Sequence, residues 1–125
     1  MFRLEVSHAH AVPVIQVYGV LDYGNTARFD EALRQALAAP EATSLIIDLA
    51  HTPTLDSAGL GLLVKSYKTC LARGGKLAIT GMNAKVAKLI GVTHLGGLFE
   101  IHETLAAGLA AMVPPGDPPL ASAAP

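Results

Sequence analysis

Residues 45–61, which read LIIDLAHTPTLDSAGLG, carry the clearest structural signal in this chain of 125 residues. The run LIIDL at 45–49 is almost continuously apolar, which is typical of a strand that is covered on both faces. A helix is predicted from about Ser57, and Gly74-Gly75 ends it. A buried strand followed at once by a helix is the repeating unit of a parallel α/β sheet.

The segments on either side predict the rest of one α/β domain. Residues 2–6 alternate apolar and charged side chains, and residues 13–18 read as a second strand that forms an antiparallel hairpin with the first. Periodicity predicts the remaining elements as a helix at 25–37, strands at 45–49, 76–81 and 98–102, and helices at 57–71, 84–90 and 105–112. This order predicts a sheet of about five strands, mostly parallel, packed with four helices over residues 1–113.

The helix that begins near Ser57 should bury an apolar stripe against the sheet. We assign this stripe to the large apolar residues at helical spacing, which are Leu60, Leu63, Val64, Tyr67 and Leu71. The pattern ends after Val113, and residues 114–125 contain five prolines. This last segment is therefore predicted to be a disordered tail.

Composition excludes several classes of function. The formal net charge of −1 argues against direct nucleic-acid binding. The single cysteine, Cys70, cannot form an internal disulfide, and no Cys and His residues have zinc-ligand spacing, so neither a metal nor another cofactor is predicted. The chain shows neither a signal peptide nor an apolar run of membrane-spanning length. We therefore expect a cytoplasmic protein that does not insert into membranes.

Charges are unevenly placed although they nearly cancel. The chain has no acidic residue between Asp56 and Glu100, while that interval holds Lys65, Lys68, Arg73, Lys76, Lys85 and Lys88. Lys65 and Lys68 follow Ser57 by eight and eleven residues, about two and three helical turns, and should share one side of the helix. Such a face is either a solvated surface or a docking surface for an acidic partner.

The start of this helix is the best candidate for chemistry. Ser57 lies where the chain becomes helical, followed by the small residues Ala58 and Gly59. Small side chains leave the N–H groups of the first turn accessible, and the helix dipole favours an anion there, including a phosphate on Ser57 itself. The simpler interpretation is that Asp56 or Ser57 only caps the helix.

Four motifs together carry a family resemblance. These motifs resemble, in the same order along the chain, those of the anti-sigma-factor antagonists, the bacterial members of the STAS domain family. They are Gly19-Val20-Leu21-Asp22 after the second strand, Asp56–Gly61 after the buried strand, Gly74-Gly75-Lys76-Leu77 and Gly96-Gly97-Leu98-Phe99. The chain resembles this family over residues 2–112. It departs from the family at Ala58, where members often carry a second serine.

The resemblance implies a phosphorylation-switched binding module. Ser57 matches the family's phosphoacceptor, which an anti-sigma factor that is also a serine kinase would phosphorylate. The unphosphorylated form would sequester that kinase and free its sigma factor, and a phosphoserine phosphatase is the further partner that would reverse the modification. With Lys65 and Lys68 added from the basic face of the helix, the predicted partner-binding residues are Asp22, Asp56, Ser57, Ala58, Gly59, Lys65 and Lys68. Turn chemistry offers Asp22 an equally good role as a turn residue.

The same sequence allows an alternative to a switched binding module, and it argues against an enzyme. A STAS-like chain could instead be a non-switching subunit or scaffold of a membrane transport system or a sensory complex. Catalysis by the chain itself is rejected, because Leu55 occupies the position where a nucleophile elbow has glycine, and the five histidines lack the spacing of a base or metal site. Asp48 ends the buried strand and is predicted to be structural, bonded to nearby backbone or to a turn.

Overall fold

The computed structural model describes residues 2–9 and 12–112, and the predicted tail at 114–125 lies outside them. Its strands are β1 (Arg3–Ala9), β2 (Val12–Tyr18), β3 (Leu45–His51), β4 (Leu77–Thr80) and β5 (Glu100–His102). Its helices are α1 (Thr26–Ala36), α2 (Ser57–Ala72), α3 (Ala84–Val92) and α4 (Leu105–Met112), with short 3-10 turns at Tyr23–Asn25 and Leu95–Leu98.

The five strands form one sheet in the order β1-β2-β3-β4-β5. β1 pairs antiparallel with β2, and all the other neighbours pair in parallel. The run 45–49 is buried at every position, because β3 is central and has helices on both of its faces. The predicted fold class, strand number and N-terminal hairpin are confirmed.

The two faces of the sheet are covered unequally. Helices α1, α2 and α3 pack on one face and bury the larger core around Phe29, Leu63 and Ile47. α4 alone covers part of the other face, where Met112 packs with a small cluster that includes Val14. α4 lies so close to β4 that a Cβ added at its buried Gly108 would be 2.6 Å from the methyl carbon of Thr80.

The stripe predicted for α2 is wrong in part. The buried residues are Gly59, Leu62, Leu63, Ser66 and Cys70, while Leu71 is 56% exposed and Leu60, Val64 and Tyr67 are only half-buried. The buried set also has helical spacing, but it includes small and polar side chains that a search for large apolar residues passes over. Ser66 tolerates burial because its hydroxyl donates to the carbonyl of Leu62 at 2.8 Å.

The last strand is shorter than the sequence suggested. Residues 95–98 form a 3-10 turn, and the strand consists of Glu100–His102, which pairs with Ala78–Thr80 of β4. The strand begins only after this turn and pairs with three of the four residues of β4. Among residues 2–9 and 12–112, no helix is both long enough and apolar enough to span a bilayer.

Candidate functional site

Two loops meet at the edge of the sheet where β2 and β3 end. Leu21 and Leu55 form an isolated parallel bridge between these loops. The N–H of Leu21 donates to the carbonyl of Thr54, and the N–H of Asp56 donates to the carbonyl of Leu21, each at 3.3 Å. The bridge extends the β2–β3 pairing beyond the strands, and it brings the loop of Asp22 beside the first residues of α2.

Asp56 joins this loop to the helix. One carboxylate oxygen accepts from the N–H of Gly59 at 2.9 Å and so caps α2, while the other accepts from the N–H of Tyr23 at 3.2 Å. The Gly59 N–H is the main reason why the pKa of Asp56 lies below its ordinary value, and the N–H of Tyr23 lowers it further. Asp56 is therefore ionised at neutral pH and holds both segments with a negative charge at the positive end of the helix.

Gly59 is required by a close backbone approach. A Cβ at this position would be 2.3 Å from the carbonyl oxygen of Leu21, well inside van der Waals contact. The prediction that the small residues keep the first-turn N–H groups open to an anion is wrong for Gly59, because its N–H is donated to Asp56. Ala58, the other small residue of this turn, is half-buried.

Ser57 is the first residue of α2 and is exposed at this edge. Its backbone position follows from the cap, because Asp56 before it is extended and the helix begins at Ser57 itself. The hydroxyl-bearing residue thus belongs to the first turn of a capped helix rather than to the loop before it. A macromolecule that approached this edge would meet Ser57 together with the neighbouring turn at residues 22–25.

Asp22 shapes that turn. Its carboxylate accepts from the N–H of Gly24 and from the side-chain amide of Asn25, both at 3.1 Å. The Asn25 amide also donates to the carbonyl of Val20 at 3.0 Å, so it closes the loop instead of capping α1. These bonds fit the role of a turn residue, and Asp22 remains half-buried beside the start of α2.

Tyr23 follows Asp22 directly, was not predicted as a site residue, and is 80% exposed. A signal was available, since an aromatic residue within a turn-forming segment has no strand or helix face to bury it. Hydrophobic periodicity does not indicate such a residue, because it belongs to neither the apolar face of a helix nor that of a strand.

Lys65 and Lys68 lie farther along α2. The ammonium group of Lys65 is 2.7 Å from a carboxylate oxygen of Asp30 on α1, so its charge is largely compensated. Lys68 is exposed, and both lysines line one open depression on the outer side of α2. At 1.5 Å per residue they stand about 12 and 16 Å along the helix from Ser57, which separates them from the edge site.

The other candidate side chains have structural contacts. Asp48 is buried and accepts from the hydroxyl of Thr80 at 2.8 Å and the amide of Gln16 at 3.4 Å, so its partners are side chains rather than the backbone we expected. His51 stacks on Tyr18, with ring centroids 4.8 Å apart. Burial raises the pKa of the Cys70 thiol to about 11. Within the part of the chain that the structure describes, no three His, Cys, Asp or Glu residues group as metal ligands.

Known proteins resemble this chain along most of its length. A family model described as STAS domain matches residues 3–108. The anti-sigma F factor antagonist of Paenibacillus polymyxa is 25% identical over 99 residues, which are 79% of this chain and 82% of that protein. The anti-sigma-B factor antagonist of Listeria monocytogenes is 31% identical over 87 residues, which are 70% of this chain and 75% of the relative.

Solved structures share the fold. An anti-sigma factor antagonist from Mycobacterium paratuberculosis superposes with a TM-score of 0.80 at 24% identity, covering 90% of this chain and 94% of that one. The Bacillus cell fate determinant SpoIIAA in its phosphorylated form superposes with a TM-score of 0.67 at 20% identity, covering 89% and 98%. At these identities the likeness establishes the arrangement of helices and strands.

Proposed function

The chain belongs to the STAS domain family, and we propose that it is an anti-sigma-factor antagonist whose binding is switched by phosphorylation of Ser57. In the unphosphorylated form it sequesters an anti-sigma factor that is also a serine kinase, and a sigma factor is released. A phosphoserine phosphatase returns the chain to the binding form. The chain itself acts as a binding module in the cytoplasm and catalyses no step.

The observation that carries this proposal is the exposed Ser57 on the first turn of α2, beside a turn that is hydrogen-bonded to the preceding Asp56. A kinase must bring the γ-phosphorus of ATP up to the serine oxygen, so its substrate has to be accessible and held in one place. Curated relatives that carry the name of anti-sigma factor antagonist support the biological role.

The switch follows from the charge that the reaction adds. The bond from Ser57 Oγ to phosphorus forms as the bond from phosphorus to ADP breaks, and the hydroxyl proton passes to a base of the kinase. The product carries about −1.5 to −2 charges at pH 7. These charges stand next to the carboxylate of Asp56 and would face the phosphates of the nucleotide in the kinase. Repulsion therefore separates the modified chain from its partner.

The deciding experiment incubates the full chain with its candidate kinase and ATP, and maps the phosphate by mass spectrometry. We expect one phosphate, on Ser57, and none in Ser57→Ala. The variant Ser7→Ala, which changes a serine of β1, is the matched control and should be labelled like wild type. Equal labelling of Ser57→Ala contradicts the site.

Affinity measurements on two variants of Ser57 distinguish an effect of charge from an effect of side-chain size. Ser57→Asp should weaken binding to the kinase, whereas Ser57→Asn, of similar size and without charge, should bind more tightly than Ser57→Asp. Equal affinity of the two variants means that charge at this position is not the switch. If no kinase modifies Ser57, the non-switching subunit or scaffold becomes the better description.

A further inference from the structure

Tyr23 is the most exposed of the large hydrophobic side chains in the described residues. Its exposure is 80%, compared with 65% for Val92 and 56% for Leu71. Single exposed apolar residues are common on protein surfaces and need no explanation. Tyr23 differs from the others because its backbone is bonded to the residue that precedes the proposed phosphorylation site.

The backbone around Tyr23 is held at both of its ends. Its N–H donates to Asp56 at 3.2 Å, and its carbonyl accepts from the hydroxyl of Thr26 at 3.2 Å. The next N–H, of Gly24, donates to Asp22 at 3.1 Å. A side chain on such a turn loses little backbone entropy when a partner binds it, so more of its contact energy appears as affinity.

We propose that Tyr23 is the aromatic anchor through which the chain docks on the kinase that modifies Ser57, an inference that rests on the proposed function. The complementary feature is an apolar pocket at the rim of the kinase's substrate cleft. Cationic groups should border this pocket, because the carboxylates of Asp22 and Asp56 flank the turn that carries the ring. Val20, three residues earlier in the same loop, is 37% exposed and is a second apolar side chain open to a partner there.

Asp56 acts in this scheme as a positioning residue. Its two oxygens connect the backbone of Tyr23 to the first turn of α2, so the backbone that carries the anchor is fixed relative to the start of the helix. A kinase pocket placed to receive the phenol ring would then deliver Ser57 to the nucleotide. Aromatic residues of this kind supply a large share of binding energy at protein interfaces.

The test measures the phosphorylation kinetics of the full chain with the kinase that labels wild-type Ser57. We expect Tyr23→Ala to raise KM about 30-fold or more with little change in kcat, because an interface anchor contributes to binding rather than to phosphoryl transfer. Tyr23→Phe keeps the ring and should stay within about twofold of wild type. Leu71→Ala removes another exposed apolar side chain, far along α2, and should match wild type.

Folding is checked by thermal unfolding, where Tyr23→Ala should match wild type because its side chain is exposed. A wild-type KM for Tyr23→Ala, with Ser57→Ala still unlabelled, overturns the anchor and leaves the proposed function standing. A drop in kcat alone also overturns the anchor, since it would place Tyr23 in the chemical step. Failure of the kinase to label the wild-type chain overturns both the function and the inference.

Discussion

The start of α2 and the outer side of its middle were both predicted to bind a partner, and they are built differently. At the start, Asp56 accepts from two segments of backbone, and Gly59 lies so close to the carbonyl of Leu21 that a Cβ would clash with it. In the middle, Lys65 forms one exposed ion pair with Asp30, and Lys68 projects into solvent. The first region is held by contacts between distant segments of backbone, whereas the second is held by a single ion pair between exposed side chains.

The two regions should therefore contribute to partner binding in different ways, the start of α2 to affinity and its middle to the rate of association. A region held by short backbone contacts can present a hydroxyl at a defined position, so its substitutions should change affinity and phosphorylation. Exposed charges that lie about 12 to 16 Å farther along the helix act through long-range attraction, so their substitutions should change association rate and salt dependence.

The largest effect on stability is expected at Gly59, and Gly61 of the same helix provides the comparison. Gly59→Ala forces a methyl group against the carbonyl of Leu21 and should destabilise the domain by about 3 kcal/mol. Gly61→Ala is the matched control, because position 61 is exposed and a Cβ there meets no atom within 4 Å, and it should stabilise the helix by about 0.5–1 kcal/mol. Urea unfolding measures both. If both substitutions changed the free energy of unfolding in the same direction, the start of α2 would not be packed tightly against the loop of Leu21.

Asp56→Ala should have the next largest effect, a drop of a few degrees in the thermal midpoint, because it removes the cap of α2 and the bond to Tyr23. The folded-state pKa of Asp56 is depressed, so its stabilising contribution is fully present above the unfolded pKa of about 3.9 and is lost as pH falls through the folded value. The difference in midpoint between wild type and Asp56→Ala should therefore be constant from about pH 5 to 8 and shrink in more acidic buffer.

The variant Asp56→Asn, measured over the same range of pH, keeps one oxygen to cap α2. Its amide N–H₂ would face the N–H of Tyr23, so the second hydrogen bond is lost. Its midpoint should lie between those of wild type and Asp56→Ala. A gap to wild type that persists unchanged at pH 2 would argue that the carboxylate charge is not what stabilises this region.

Charge reversal in the middle of α2 should have a smaller effect. Lys68→Glu is expected to slow association with the kinase by about threefold at low salt and to flatten the dependence of that rate on ionic strength. Lys65→Glu is a less direct test, because the new carboxylate would also repel Asp30 on α1. Lys88→Glu on α3 is the control for net charge. Stopped-flow rates at two salt concentrations that match wild type would leave the lysines without a binding role.

The smallest effect is expected from removing residues 114–125. A segment with five prolines and one large apolar residue has little surface to bury, so the thermal midpoint should stay within about 1 °C of wild type. Calorimetry of the full and shortened chains measures the difference. A loss of many degrees would mean that this segment packs on the domain, and that the domain does not end at residue 113.

Much of the fold was predictable because hydrophobic periodicity reports which elements form and in what order. Motif resemblance then located Ser57 and Asp22, which the structure brings to one edge of the sheet through the bridge between Leu21 and Leu55. The buried face of α2 was misjudged, since large apolar residues were preferred over Ser66 and Cys70. Residue size indicates burial only statistically, whereas the neighbours of α2 determine which side faces inward.

Local sequence thus determined the α/β pattern, the helix start at Ser57 and the presence of an acid and two small residues around it. Tertiary structure alone decided what these residues do: Asp56 reaches across 33 positions of chain to the backbone of Tyr23, and Gly59 is small because Leu21 lies against it. It also paired Lys65 with Asp30 and left Tyr23 exposed beside the site. Periodicity describes interactions over a few residues, but hydrogen bonds and close contacts depend on which distant segments the sheet brings together.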